Sequence, residues 1–95
     1  MPGSIAQARE VLVVTTTFCA FCTRAKMLLD KRGIAYDEIE IPRFDDESRR
    51  RLREETGGLR TFPMIRIRGA WIGGARELFE MDRRGELADL VPRHG

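Results

Sequence analysis

The sequence predicts an α/β domain built on a four-stranded mixed sheet flanked by helices. Three observations predict it. Apolar, β-branched runs alternate with helix-periodic segments in the order β-α-β-α-β-β-α. The run Val11-Leu12-Val13-Val14 has no polar alternation, as expected of a strand buried on both faces. Glycines at Gly33, Gly57-Gly58 and Gly85 then punctuate the chain where helical periodicity stops.

Taken in order, residues 1–9 carry Pro2, Gly3 and Ser4 and read as a frayed tail or an expression remnant. Residues 10–92 then form one domain. The first strand runs from Val11 into the threonines at 15–17. The helix after Cys19 places Phe21, Ala25, Leu28 and Leu29 at helical spacing, and Cys22, Ala25 and Leu29 likewise. Lys31 and Arg32 fill its last turn and Gly33 caps it. Residues 35–41 alternate loosely and read as a second strand, which Pro42 ends. Residues 45–56 are predicted as a surface helix on a thin apolar stripe of Phe44, Ser48, Leu52 and Thr56. Met64-Ile65-Arg66-Ile67 and Ala70-Trp71-Ile72, joined by Arg68-Gly69, make a hairpin in which Trp71 is a packing residue. A helix over 75–82 points Leu78 and Phe79 inward. A final short helix spans 86–91, and Pro92 ends the order.

Composition excludes several classes of function. The 95 residues include 17 Lys+Arg against 15 Asp+Glu, a formal charge of +2. So even a balance does not announce a nucleic-acid binder. Residues 43–55 hold five arginines and five acids; they read as a solvated face laced with i,i+4 pairs rather than a phosphate patch. No apolar run approaches a membrane span. The first nine residues lack the basic and apolar regions of a secretory signal. The expected setting is the reducing cytoplasm, without membrane or nucleic-acid partners, and the expected state is a monomer.

The two cysteines, Cys19 and Cys22, form one Cys-x-x-Cys. Its spacer closes too short a loop to staple a fold. Two thiolates are half of what a structural zinc needs, and the sole histidine, His94, lies next to the C-terminus. No metal site is expected. One reading is a pair of inert thiols in a small-residue turn. The other is a redox dithiol, and the strand–motif–helix context favours it. Cys19 falls at the helix N-terminus, where unpaired amides and the dipole favour thiolate over thiol. Cys22 lies one turn inside, placed to attack a mixed disulfide formed at Cys19.

From residue 11 to 91 the chain resembles a glutaredoxin of the small bacterial dithiol kind. The resemblance rests on Cys19-Ala20-Phe21-Cys22-Thr23-Arg24-Ala25-Lys26, Thr61-Phe62-Pro63, Ile72-Gly73-Gly74 and Met81-Asp82-Arg83-Arg84-Gly85-Glu86-Leu87, at the family's spacings. It implies a thioredoxin-like fold with Pro63 cis. It also implies a glutathione-dependent oxidoreductase that reduces protein disulfides and glutathione mixed disulfides. Cys19 would be the nucleophile and Cys22 the resolver. Glutathione, as reductant, would meet Phe21, Thr61, the Phe62 main chain and Pro63. Its γ-glutamyl carboxylate would reach Gly74, Ala75 and Arg76. Partners would be disulfide-containing or glutathionylated proteins.

Three positions depart from the family pattern. Ala20 and Phe21 replace the Pro-Tyr of Cys-Pro-Tyr-Cys. Thr16 stands where a lysine is common. Arg76, with Glu77 beside it, stands where an aspartate faces the glutathione ammonium. Arg60 and Arg53 are candidates to restore the missing positive charge. Two alternative functions accompany the resemblance. One is a carrier of a glutathione-ligated [2Fe–2S] cluster, which the loss of the motif proline would favour. The other is a glutathione-independent protein electron donor.

Overall fold

A computed structural model describes residues 9–91; the expectations for residues 1–8, Pro92 and His94 lie outside the described residues. Four strands, β1 (Val11–Thr16), β2 (Asp37–Ile41), β3 (Met64–Ile67) and β4 (Ala70–Gly73), form one sheet in the order β2-β1-β3-β4. The first two are parallel, and the other pairings are antiparallel. Three helices flank the sheet: α1 (Ala20–Lys31), α2 (Asp46–Thr56) and α3 (Ala75–Arg83). This is the mixed sheet of a thioredoxin-like fold.

Every residue of β1 is buried, because β1 lies inside the sheet with helices over both faces. Alternation then sorts its side chains by face. Val11 and Val13 join Ile65, Ile67, Ala25, Leu29, Ile34, Leu78 and Leu87 in the larger core, under α1 and α3. Leu12 and Val14 join Met64 in a smaller one, against which Leu52 of α2, Leu59, Phe62 and Trp71 are partly buried. The larger core is further tied at its edge. Arg32, which caps α1, grips Asp82 of α3 through bonds of 2.7 and 2.9 Å and holds its carboxyl below the ordinary value.

The helices stop as their glycines predict. Gly33, at φ +72°, lets Ile34 N–H donate to Leu29 C=O and Gly33 N–H to Asp30 C=O; α2 and α3 close the same way at Gly57 and Gly85. The hairpin loop Arg68-Gly69 has positive φ at both residues, the geometry that matches the strands' twist.

Three expectations need correction, and one is decided between two readings. β2 starts at Asp37 rather than residue 35, since ladder pairing with β1 begins at Leu12–Asp37. Phe44 does not anchor α2: it precedes the capping residue Asp45, outside the helix, and is 85 % exposed. Of the two spacings noted for α1, that of Cys22, Ala25 and Leu29 meets the sheet, which leaves Phe21 exposed. The helix over 86–91 is a single 3-10 turn, Ala88–Leu90.

Candidate active site

The cysteine motif sits where β1 hands over to α1, at the C-terminal end of the β1–β2 parallel pair. Cys19 is the capping residue of α1, with extended backbone (φ −122°, ψ 104°). The Cys22 N–H donates to Cys19 Sγ at 3.1 Å, so a first-turn amide that would otherwise lack a partner points at the sulfur. Cys19 is half-buried, whereas Cys22 is 2 % exposed. The two are joined in a disulfide, so this is the oxidised form.

Opposite Cys19 lies the loop that leads into β3. The Phe62–Pro63 peptide bond is cis, and the Phe62 carbonyl oxygen stands 3.8 Å from Cys19 Sγ. Pro63 is fully buried at the start of the strand, where a proline's missing N–H costs no ladder bond.

Two cavities meet over Phe21, Thr61 and Phe62. One, of about 450 Å³, is walled by those three with Pro63, Gly74, Ala75, Arg76 and Glu77. It brings together all seven residues that the resemblance assigns to glutathione. Its floor depends on two glycines. A Cβ on Gly73, at φ +123°, would meet the Glu77 side chain at 2.8 Å, and one on Gly74 would meet the Pro63 carbonyl at 3.2 Å. Glu77 uses that space. Its Oε1 accepts the Gly74 N–H at 2.8 Å, half of a capping box. Donation from the Gly74 and Glu77 amides holds this carboxyl below its ordinary value. Arg76 stands at the rim, 84 % exposed, 3.9 Å from Glu77 Oε2.

The other cavity, of about 390 Å³, contains Cys19 itself. Its charged lining is Arg43, Arg49 and Arg60, with no carboxylate. Arg43 Nη1 donates to the carbonyls of Thr17 and Phe18 at 2.8 and 3.0 Å. Arg49 donates to the Arg43 carbonyl at 2.9 Å and lies over the Phe62 ring, 5.6 Å from its centre. The arginines thus hold a strained loop: Phe18 has φ +54°, which costs a residue with a Cβ about 1–2 kcal/mol. Thr16, in the position where a lysine is common, is buried and spends its hydroxyl on the Ile41 carbonyl.

Of the two cations proposed to replace that lysine, Arg60 lies on the cavity and Arg53 does not. Arg53 lines a separate surface hollow with Asp46, Glu47, Arg49 and Arg50. Sequence reading missed Arg43 and Arg49. A signal for Arg43 was present: it follows the end of a strand parallel to β1, and ligand sites of such sheets gather at the carboxyl ends of the strands.

A model of the glutaredoxin family matches residues 11–72. The chain belongs to the glutaredoxin family. It is 36 % identical over 81 residues to glutaredoxin 1 of Rickettsia conorii, covering 85 % of this chain and 79 % of the relative. It is 33 % identical over 93 residues to glutaredoxin-C1 of Arabidopsis thaliana, covering 96 % and 74 %. Among solved structures, the buckwheat glutaredoxin–glutathione complex superposes with a TM-score of 0.79 at 30 % identity, covering 95 % of this chain and 83 % of the other. Glutaredoxin membership and the Cys-x-x-Cys pair support a thiol–disulfide oxidoreductase. Among the described residues, no helix of this glutaredoxin is long and apolar enough to cross a membrane.

Proposed function

We propose that this glutaredoxin is a glutathione-dependent oxidoreductase that reduces glutathione mixed disulfides and protein disulfides in the cytoplasm. Cys19 attacks and Cys22 resolves. The observation that carries the assignment is the asymmetry of the pair. Cys19 is accessible and receives an amide N–H at a helix N-terminus, whereas Cys22 is enclosed one turn in.

On a glutathione mixed disulfide, the Cys19 thiolate attacks the glutathione sulfur. A protein–glutathione disulfide forms and the other thiol leaves. A second glutathione thiolate then attacks that intermediate, giving glutathione disulfide and regenerating the Cys19 thiolate. On a protein disulfide, Cys19 forms the mixed disulfide and Cys22 displaces the substrate, which leaves with both sulfurs reduced. The Cys19–Cys22 disulfide is then reduced by two glutathiones.

In this reading glutathione lies along Phe62, between the two cavities. Its γ-glutamyl end enters the glycine-floored cavity at Gly74 and Ala75. That end must share the Gly74 amide with Glu77, or displace the Glu77 side chain toward the ammonium. Arg76, at the rim, contributes through Glu77 more than through direct contact. The glycyl carboxylate faces Arg60. The buckwheat protein, solved in complex with glutathione, supports this reading by its likeness.

The test is turnover of hydroxyethyl–glutathione mixed disulfide with reduced glutathione, NADPH and glutathione reductase. The proposal expects saturable turnover that requires glutathione. Reduction of protein disulfides by a thioredoxin-type reductase, with no response to glutathione, would replace it with the electron-donor reading.

A further inference from the structure

We propose that the protein substrates of this enzyme present their disulfide on an acidic segment flanked by apolar residues, which docks over the arginine-lined cavity. The proposal rests on the thiol–disulfide reading above and names its substrate class. Charge is the first observation. Arg43, Arg49 and Arg60 wall the cavity around Cys19, and Arg24 lies over the Phe21 ring at 5.8 Å. Among the described residues, none of these four forms an ion pair. Lys26, Arg32, Arg50, Arg51 and Arg68 all do, away from this cavity. The cavity around Cys19 therefore gathers three guanidiniums with no carboxylate in its lining, in a chain whose formal charge is only +2. One carboxylate of a small ligand matches one or two guanidiniums and leaves the others unmatched.

The second observation is apolar. Phe18 is 91 % exposed beside Cys19, Phe21 is 58 % exposed within the motif, and Phe44 is exposed next to Arg43. Single exposed aromatics need no explanation. Phe18 and Phe21 line the cavity of the reactive sulfur together with Arg43, Arg49 and Arg60, and exposed rings interleaved with arginines have the composition of a protein-docking surface. Phe18 is moreover held in a left-handed conformation by Arg43, so its outward display is built into the loop. Complementarity then specifies carboxylates and apolar side chains on the partner. The sulfur at the centre specifies a disulfide-bearing polypeptide, which a nucleic acid is not.

The test uses two synthetic cyclic-disulfide peptides that differ only in flanking residues, Glu in one and Lys in the other. The pre-reduced full chain is mixed with each under single-turnover conditions. Oxidation of Cys19 and Cys22 is followed by acid quench, thiol alkylation and mass spectrometry. Each event converts the peptide disulfide to two thiols and the cysteine pair to one disulfide, and no glutathione is needed. At ~20 mM salt the acidic peptide is expected to react roughly tenfold faster than the basic one. The ratio is expected to fall to about two at ~0.5 M salt.

R24E and R43Q are expected to lower the low-salt ratio at least about threefold. R50E, which removes an arginine already paired to Glu47 and Glu54, leaves it unchanged. A low-salt ratio near one, or a ratio that neither salt nor R24E and R43Q move, overturns the proposal. So does inhibition by a single-stranded oligonucleotide beyond that of sodium chloride at equal ionic strength, which would assign the surface to nucleic acid. A fault in the parent reading shows differently: neither peptide would oxidise the pair.

Discussion

The two cavities that meet over Phe62 are built on opposite principles. The one beside α3 is shaped by what is missing. Gly73 and Gly74 lack the Cβ atoms that would meet Glu77 and Pro63, and at this floor lie a backbone amide and its capping carboxylate, with Thr61 and Arg76 on the walls. The one around Cys19 is shaped by what is added: three arginine side chains and the exposed ring of Phe18. Backbone recognition is rigid and demands one geometry. Side-chain recognition is broad and tunable by salt. On the proposed function, the difference would match a division of labour between glutathione and protein substrates.

Damage to the glycine-floored cavity is expected to have the largest effect. G73V puts a β-branched residue at φ +123° and drives a Cβ into the Glu77 side chain. The KM for glutathione in the mixed-disulfide assay should rise about tenfold or more, the equivalent of ~1.4 kcal/mol. The acidic-to-basic peptide ratio should hold. An unchanged KM would remove glutathione from this cavity.

On the arginine side the effect should be smaller. R60A is expected to raise the glutathione KM about three- to fivefold, consistent with loss of a partly exposed charge pair. R53A should leave it unchanged, since Arg53 lines another hollow. Equal effects of the two would mean that diffuse charge, rather than the Arg60 contact, is being measured.

The smallest effect concerns Glu77. E77Q weakens the cap on α3 and should cost roughly 0.5 kcal/mol at pH 7, given the exposure of the group. The sign with pH follows from the lowered value of this carboxyl in the folded protein. Its contribution is complete above the unfolded glutamate value and is lost as pH falls through the depressed folded one. Urea midpoints of wild type and E77Q should therefore converge in acid. A gap that persists in acid would assign the effect to packing instead.

Much of this architecture was legible because it is written in local patterns. The unbroken run at Val11–Val14 gave the interior strand, and Gly33, Gly57 and Gly85 gave the three helix ends. Thr61-Phe62-Pro63 and Gly73-Gly74, which carry the resemblance, line the glycine-floored cavity, where backbone geometry demands particular residue types. The arginine cavity left no such trace. Arg43, Arg49 and Arg60 come from the end of a strand, a helix and a loop, and only the fold brings them together. Phe44 was misplaced for a related reason. Periodicity says which residues share a face but not which face meets the sheet, and Phe44 lies before the helix whose phase it was assigned. The Glu77–Gly74 bond was not foreseen either, although a glutamate three residues past a helix start is its sequence sign.

The central claim is that Cys19 attacks and Cys22 resolves. Its most direct test compares C19S and C22S on hydroxyethyl–glutathione mixed disulfide and on a protein disulfide, both with reduced glutathione. The account predicts that C19S loses both activities. C22S should keep turnover of the mixed disulfide, because a second glutathione can resolve the intermediate, and should lose reduction of the protein disulfide. Mixed-disulfide turnover that survives in C19S, or that falls equally in both variants, would contradict it.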